Sequence, residues 1–280
     1  MITLKAWAKV NIGLRIIGER DDGFHNIETT LSTINLADII TFEQIGTDIK
    51  IEAIGIEIPP EKNMCYIAAD IFKKKFGLNK GVCIKLTKNI PIGGGLGGGS
   101  ADAACVLKGI NKLFELNVPD NELLEASREI GADVPFLIKG GAAHARGRGD
   151  ELKYFKLPRM SLVIYWPGYP ILTKWAYEEY DKTFLTPRPE TDIIIEEQKG
   201  KKKKKAKPSF NIVNDFEKVV FKKHPDLLDV KTNLLLNGAY IVTLSGSGSC
   251  IWVVVDDKIR KGVLKYLEGI GAQYFEVVTV

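Results

Sequence analysis

The residues of this chain whose types and spacing are most suited to chemistry form a glycine-rich stretch at positions 91–101, Pro-Ile-Gly-Gly-Gly-Leu-Gly-Gly-Gly-Ser-Ala. Glycines lack a Cβ atom, so backbone N–H groups can turn inward and approach a ligand closely. A strand is predicted before the stretch, at residues 82–87, and a helix after it, at residues 101–116, where apolar residues recur at helical spacing. A helix N-terminus adds unpaired N–H groups and a positive dipole end. This unit therefore predicts a cradle for a phosphate group.

Three other kinds of glycine-rich segment explain this stretch less well than a phosphate cradle does: a linker, a Walker loop and a dinucleotide-binding loop. A flexible linker does not usually lie between a buried strand and an amphipathic helix. A Walker loop is excluded because no Gly-Lys-Ser/Thr follows. Gly93, Gly95 and Gly98 do satisfy G-x-G-x-x-G, but a dinucleotide site needs an acidic residue at the end of a second strand about 20 positions later. Residues 117–122, Asn-Val-Pro-Asp-Asn-Glu, instead predict a turn and a helix start. A dinucleotide oxidoreductase is therefore disfavoured.

Three polar residues are candidates for chemistry beside a phosphate. Lys9 and Asn11 share one face of a predicted strand at residues 5–16, in which apolar residues alternate with the others. For an isolated strand, an ordinary solvated face is the favoured interpretation. Asp133 lies in the run Gly-Ala-Asp-Val-Pro-Phe at 131–136. A carboxylate buried there needs a cation or hydrogen-bond donors, although a turn-capping aspartate accounts for it equally well.

Further candidates each have a structural interpretation beside the functional one. Phe24 and His25 end a turn at residues 20–27. They are either a core ring and a satisfied polar residue, or a stacking ring beside an imidazole that suits a base or sugar. Asn63 precedes a predicted helix at 64–76, which it could cap, or it could contact a ligand. The second glycine loop, Ser-Gly-Ser-Gly-Ser at 245–249, is predicted to be a hairpin turn rather than a wall facing the first loop.

The remaining pattern predicts an α+β protein with a domain boundary near residue 157, giving domains at 1–156 and 157–280. Further strands are predicted at 39–44, 49–53, 162–166, 239–244, 251–255 and 275–280. Further helices are predicted at 120–130, with Asp120 as N-cap, and at 258–270. Another helix is predicted to begin between residues 171 and 177, and a helical region is predicted at 210–236. The acidic and then lysine-rich stretch at 186–208 predicts a solvated, mobile loop, and a polyanion-binding tail is less favoured.

Composition narrows the class of protein. With 280 residues, 45% hydrophobic and 26% charged, the chain is long enough for one large or two ordinary globular domains. No spanning apolar run or export signal is visible, which favours a cytoplasmic protein with no membrane partner. The four cysteines are isolated and predict structural thiols rather than a metal site or disulfides. The net charge of +4 depends largely on the lysine run, so a nucleic-acid partner is not expected.

Together these motifs resemble the GHMP small-molecule kinases. The resemblance spans residues 8–250 and rests on six stretches, at 8–14, 23–27, 91–104, 131–135, 214–217 and 244–250. Ala-Lys-x-Asn, Gly-Phe-His and Gly-Ala-Asp-Val-Pro together are similar to the subgroup that uses ATP to phosphorylate the 2-hydroxyl of 4-diphosphocytidyl-2-C-methyl-D-erythritol in non-mevalonate isoprenoid synthesis. The resemblance implies an N-terminal ribosomal-S5-like domain, a C-terminal ferredoxin-like domain and an active site in the cleft between them.

The resemblance also assigns roles to residues. Lys9 and Asp133 match the catalytic pair, in which the aspartate accepts the hydroxyl proton and the lysine orients the hydroxyl and stabilises negative charge. The positions that match ATP-binding residues are Asn63, Pro91, Ile92, Gly93, Gly94, Gly95, Leu96, Gly97, Gly98, Gly99, Ser100 and Ala101. The positions that match substrate-binding residues are Asn11, Phe24, His25, Thr173, Tyr177, Gly246, Ser247 and Gly248. Within that set, Phe24 and Tyr177 are expected to sandwich the cytosine ring, with His25 at its edge.

Magnesium is expected because ATP is used as its magnesium complex, but no carboxylate cage for it is readable. The expected partners are ATP and a small-molecule substrate, with the protein acting as a monomer or homodimer. Three positions depart from the family pattern: Phe24 replaces a tyrosine, Ala101 a second serine, and Lys174 the proline after Thr173. Two alternatives stay open, a GHMP kinase for homoserine, mevalonate or a sugar, and a non-catalytic nucleotide-binding protein.

Overall fold

A long antiparallel hairpin begins the fold. In the computed structural model, which describes residues 1–54, 59, 62–184 and 212–280, β1 (Ile2–Glu19) pairs with β2 (His25–Ile45) along almost its full length. The register shifts between Trp7 and Lys9 and again between Asn11 and Leu14, as at β-bulges. The strand predicted at 5–16 is thus confirmed as the middle of a longer one.

Four more strands complete the first sheet, whose order is β3-β4-β2-β5-β6 with β1 on β2. They are β3 (Ile49–Ile54), β4 (Gly81–Thr87), β5 (Ala142–Arg146) and β6 (Glu151–Phe155). Neither β5 nor β6 was predicted from the sequence. Alanine is a weak strand former, so pairing of β5 with residues 29–32 of β2 decides this strand.

Four helices accompany the first sheet: α1 (Met64–Phe76), α2 (Gly98–Leu113), α3 (Asp120–Arg128) and α4 (Val134–Lys139). Helix α1 has the predicted bounds, with Asn63 as N-cap and Gly77 in the left-handed conformation at its C-terminal end. Helix α2 contacts α1, α4 and β1, which makes it the centre of this layer. It begins at Gly98, three residues before the predicted start. The predicted N-cap at Asp120 is wrong, because Asp120 is already helical and Pro119 holds the cap position.

A second, antiparallel sheet has the order β10-β7-β9-β8. Its strands are β7 (Ser161–Trp166), β8 (Val242–Leu244), β9 (Ile251–Val254) and β10 (Gln273–Val278). Its helices are α5 (Thr173–Phe184), α6 (Glu217–Lys223), α7 (Pro225–Leu236) and α8 (Arg260–Gly269). The helical region predicted at 210–236 is interrupted at His224, because a residue before proline is driven out of the helical conformation. The loop predicted at 186–208 lies outside the described residues.

The two sheets share buried apolar contacts. Leu162 and Trp252 of the second sheet belong to the same buried cluster as Ala8 of β1, and the Trp252 indole Nε1 donates to the Asn11 backbone oxygen at 3.0 Å. Because the chain passes from one sheet to the other between Phe155 and Ser161, we place the proposed domain boundary there, at 156/157. None of the helices in the described part of the chain has the length and apolar character needed to cross a membrane.

Candidate active site

Lys9 is a buried cation on β1. Only 4% of the residue is exposed, and 3% of Asn11. The solvated face favoured for this strand is therefore wrong at these two positions, although Lys5 and Trp7 on the same face are exposed. The Lys9 Nζ atom donates to Asn11 Oδ1 at 2.6 Å and to the Gly95 backbone oxygen at 3.0 Å. Asn11 is held in turn, because its Nδ2 atom donates to the Thr29 hydroxyl at 3.0 Å. These bonds fix where the ammonium group lies.

Asp133 brings a carboxylate to the same place. It directly precedes α4 with helical backbone angles, φ −81° and ψ −17°, and its side chain makes no capping hydrogen bond to that helix. The turn-capping interpretation is therefore wrong. Its Oδ2 atom lies 3.4 Å from Lys9 Nζ, and 34% of its side chain is exposed. The pair thus joins a buried lysine to a carboxylate that a ligand can reach.

The first glycine loop leads from β4 into α2. Gly93, Gly95 and Gly97 have positive φ angles, of 66°, 76° and 69°, which L side chains rarely adopt. No acidic residue occupies the first turn of α2, and Gly97 at its N-cap has no side chain to cap it. The first N–H groups of α2 and the positive end of its dipole can therefore receive an anion. This arrangement supports the predicted phosphate cradle.

Several of these glycines are also required by packing within the protein. A Cβ atom on Gly95 would lie 1.9 Å from the Ser245 backbone oxygen, and one on Gly94 would lie 2.6 Å from Cys250 Sγ. The Ser245 hydroxyl donates to the Gly95 oxygen at 2.9 Å, and the Cys250 N–H donates to the Gly94 oxygen at 3.1 Å. The first loop is therefore seated directly on the second.

The second glycine loop has both of the roles considered for it. It joins the antiparallel strands β8 and β9, which confirms the predicted hairpin turn. It also forms a wall beside Lys9, since a Cβ atom on Gly246 would lie 3.1 Å from Asn11 Oδ1 and 3.5 Å from Lys9 Nζ. The Ser247 hydroxyl lies 3.0 Å from the Thr173 hydroxyl at the start of α5. Thr173 therefore contacts the residue that follows Gly246. A Cβ atom on Gly248 would instead face the apolar side chains of Leu244 and Ile171.

The aromatic candidates form a group at the far end of the β1–β2 hairpin. The rings of His25 and Tyr177 stack with centroids 4.5 Å apart and planes at 17°. His25 Nε2 lies 2.8 Å from Asp181 Oδ1, and burial raises the pKa of the Tyr177 phenol. Phe24 is 52% exposed, and the Arg148 guanidinium lies 5.2 Å from its ring centroid. Tyr177 therefore stacks on His25 here, and its expected pairing with Phe24 around a base stays a prediction.

Asn63 has the structural role considered for it. Its Oδ1 atom accepts a hydrogen bond from the Cys65 N–H at 2.9 Å, so the residue caps α1. The side chain is buried, and only 5% of the residue is exposed. The cap does not use its Nδ2 atom.

A buried charge cluster lies beneath the glycine loop and was not predicted from the sequence. The Lys88 ammonium donates to both Asp38 and Asp102, with Asp102 Oδ2 at 2.7 Å. Asp38 Oδ1 also accepts the N–H groups of Asn89 and Ile90, at 2.6 and 2.8 Å. Burial raises the pKa of Asp102 to about 8, the Lys88 charge opposes that shift and the Asp38 charge adds to it. The only local signal was an aspartate inside a run of small residues.

Asp181 was also missed, since no local pattern connects it with His25, 156 positions earlier. All four cysteines are free and buried, and their structural role stays a prediction. Among the residues that the structure describes, no group of three or more His, Cys, Asp or Glu side chains could hold a metal ion.

The chain is similar to known kinases in both sequence and fold. The family model for the GHMP kinases N terminal domain matches residues 63–141. The 4-diphosphocytidyl-2-C-methyl-D-erythritol kinase of Caldicellulosiruptor saccharolyticus is 41% identical over 259 residues, 91% of this chain and 88% of the relative. The enzyme of that name from Chlorobium chlorochromatii is 42% identical over 252 residues, 89% of this chain and 86% of the relative. A crystal structure of a 4-(cytidine 5'-diphospho)-2C-methyl-D-erythritol kinase matches with a TM-score of 0.80 and 28% identity, covering 99% of each chain.

Proposed function

This chain belongs to the 4-diphosphocytidyl-2-C-methyl-D-erythritol kinases, a subgroup of the GHMP kinases, and we propose that it transfers the γ-phosphoryl group of ATP to the 2-hydroxyl of 4-diphosphocytidyl-2-C-methyl-D-erythritol. The products are ADP and the 2-phosphate, an intermediate of non-mevalonate isoprenoid synthesis. We assign the catalytic roles to Lys9 and Asp133 because Lys9 Nζ and Asp133 Oδ2 lie 3.4 Å apart beside the glycine loop.

In the proposed reaction the acceptor oxygen attacks the γ-phosphorus, the bond from that phosphorus to the ADP oxygen breaks, and the hydroxyl proton passes to the Asp133 carboxylate. Lys9 orients the acceptor oxygen and stabilises the negative charge that develops during transfer. Its position supports this role, because Asn11 Oδ1 and the Gly95 oxygen hold the ammonium group in place. The lysine thus needs little reorganisation when the substrates bind.

On the nucleotide side, residues 91–101 hold the ATP phosphates. The free N–H groups at the start of α2, with no acidic residue in its first turn, support this assignment. Asn63 lies near the adenine and contacts it through Nδ2, since Oδ1 caps α1. Magnesium enters with ATP and neutralises phosphate charge when bound.

On the acceptor side, Asn11, Thr173 and residues 246–248 surround the reacting hydroxyl. Phe24, His25 and Tyr177 bind the cytosine. The stacking of Tyr177 on His25 supports an aromatic subsite at that end. We expect the protein to work as a monomer or homodimer. We expect it to work in the cytoplasm, where free thiols such as its four cysteines remain reduced.

The test measures coupled ADP release with magnesium-ATP and 4-diphosphocytidyl-2-C-methyl-D-erythritol, with mevalonate and homoserine as alternative acceptors. The wild-type protein should turn over only the cytidyl substrate, and Asp133→Asn should lower kcat about 100-fold or more because it removes the proton acceptor. Turnover confined to another acceptor would overturn the substrate assignment. Nucleotide binding without any turnover would favour a non-catalytic nucleotide-binding protein.

A further inference from the structure

The motif Asn-Asp-Phe-Glu at residues 214–217, here the anchor segment, has no role in the chemistry above. Its backbone runs beside β1, where the Leu14 N–H donates to the Val213 oxygen at 2.8 Å and the Asp215 N–H donates to the Leu14 oxygen at 2.9 Å. The Asp215 Oδ2 atom also accepts the Ile16 N–H at 3.0 Å. The anchor segment is therefore attached to the strand that carries Lys9.

Asn214 attaches the same segment to the second glycine loop. Its Nδ2 atom donates to the Leu244 oxygen at 3.0 Å and to the Gly246 oxygen at 2.8 Å. Its Oδ1 atom accepts the Phe216 N–H at 3.1 Å. Because both amide protons and the amide oxygen are used, and only 3% of the residue is exposed, the orientation of this side chain is determined. A carboxylate in its place could not donate to either carbonyl.

Glu217 and Phe216 extend the attachment. Glu217 Oε1 accepts the Thr243 hydroxyl at 2.7 Å and the Leu244 N–H at 3.1 Å, and Oε2 accepts Lys231 Nζ at 2.6 Å. Glu217 thus fixes the strand that enters the second glycine loop. The Phe216 ring packs edge-on against Tyr177, with centroids 4.8 Å apart. Side chains of the anchor segment therefore contact the second glycine loop through Asn214 and the aromatic group through Phe216.

We propose that residues 214–217 are positioning residues that set the second glycine loop against Lys9 and Asn11. Asn214 donates a hydrogen bond to the Gly246 carbonyl. Gly246 lies close to the catalytic lysine and its partner, because an added Cβ atom would be 3.1 Å from Asn11 Oδ1 and 3.5 Å from Lys9 Nζ. If that carbonyl moves, the wall of the acceptor site moves with it. The N-terminus of α2 is outside these bonds, and the hydrogen bonds that join the second glycine loop to the first come from Ser245, Ser249 and Cys250 rather than from Gly246. Loss of the anchor therefore weakens use of the acceptor far more than binding of the nucleotide, an inference that rests on the proposed function.

The test compares wild type with Asn214→Asp, which keeps the size of the side chain and its acceptor oxygen but removes both donors. Asn237→Asp is the matched control, because it removes an Nδ2 donor to a backbone oxygen on the exposed end of α7, away from the site. The expected result for Asn214→Asp is a fall in kcat/KM for the acceptor of about tenfold or more, since two buried carbonyls lose their donors. Its dissociation constant for ADP should stay within about twofold of wild type. The control should match wild type in both measurements.

Glu217→Gln provides a second variant if Asn214→Asp does not fold, which thermal unfolding will show. This variant keeps an oxygen for the Leu244 N–H and loses the ion pair with Lys231. The kcat/KM for the acceptor should again fall, by a smaller factor, while the dissociation constant for ADP stays unchanged. Unchanged acceptor kinetics in a folded variant, or an equal loss of ADP affinity, would overturn the positioning role. If both variants unfold, the segment contributes only to stability, and the positioning role is likewise overturned. Absence of turnover in the wild type would instead overturn the proposed function, and this inference with it.

Discussion

Replacement of Gly95 by alanine tests the contact between the two glycine loops. Gly95 has a φ angle of 76°, and an added Cβ atom would lie 1.9 Å from the Ser245 oxygen and 3.0 Å from the Gly248 oxygen. Carbon and oxygen atoms that are not bonded normally stay about 3.3 Å apart or more. The loops must therefore separate by more than about 1 Å to accept the methyl group.

Two terms set the expected loss of stability. An alanine in the left-handed conformation costs about 1–2 kcal/mol, and forcing a group into a packed site costs about 1–3 kcal/mol. The sum of about 2–5 kcal/mol corresponds to a fall in Tm of roughly 5–15 °C for a protein of this size. The Gly95 oxygen also accepts Lys9 Nζ and the Ser245 hydroxyl. A displacement of about 1 Å at a catalytic group can lower kcat about 100-fold.

Scanning calorimetry and the ADP-release assay measure the two effects. Gly141→Ala separates them, because Gly141 has a similar φ angle of 80° but no atom within 4 Å of an added Cβ. Gly46→Ala, with no positive φ angle and no close atom, should behave as wild type. If Gly95→Ala and Gly141→Ala lose the same stability, and Gly95→Ala keeps its kcat, the inferred loop contact is wrong.

Three further predictions concern other residues of the site. The pKa of Asp102 is raised to about 8, so between about pH 4 and pH 8 the folded protein keeps a proton that the unfolded chain releases. The stability that the protonated Asp102 contributes is therefore lost as the pH rises through this window. Relative to Asp102→Asn, the wild type should lose free energy of unfolding steadily as the pH rises through that window; parallel pH profiles from urea unfolding would contradict this. Asn63→Ala should cost about 1 kcal/mol in urea unfolding through loss of the α1 cap, whereas Asn63→Asp should not; equal losses would contradict the capping role. Tyr177→Leu should raise the acceptor KM, because it removes the ring that stacks on His25, and leave the ATP KM unchanged; a change in the ATP KM instead would place Tyr177 on the nucleotide side.

Elements with strong local signals could be predicted from the sequence. The cap at Asn63 and the left-handed Gly77 define α1 at both ends, and the alternation around Lys9 and Asn11 predicts their shared face on β1, where the two side chains are hydrogen-bonded. Strand β5 escaped prediction, because a run of small residues becomes a strand here only by pairing with β2.

The order of residues specifies which chemical groups are present and where helices and strands can form. The glycine loop before α2, the hairpin at 245–249 and the motifs typical of the family can all be recognised in it. Which groups meet depends on how distant segments pack. Lys9 is buried because loops about 90 and 235 positions away cover its strand, and Asp133 joins it because α4 packs on α2. Local patterns depend on a residue's near neighbours, whereas burial and charge pairing depend on the distant segments that cover it.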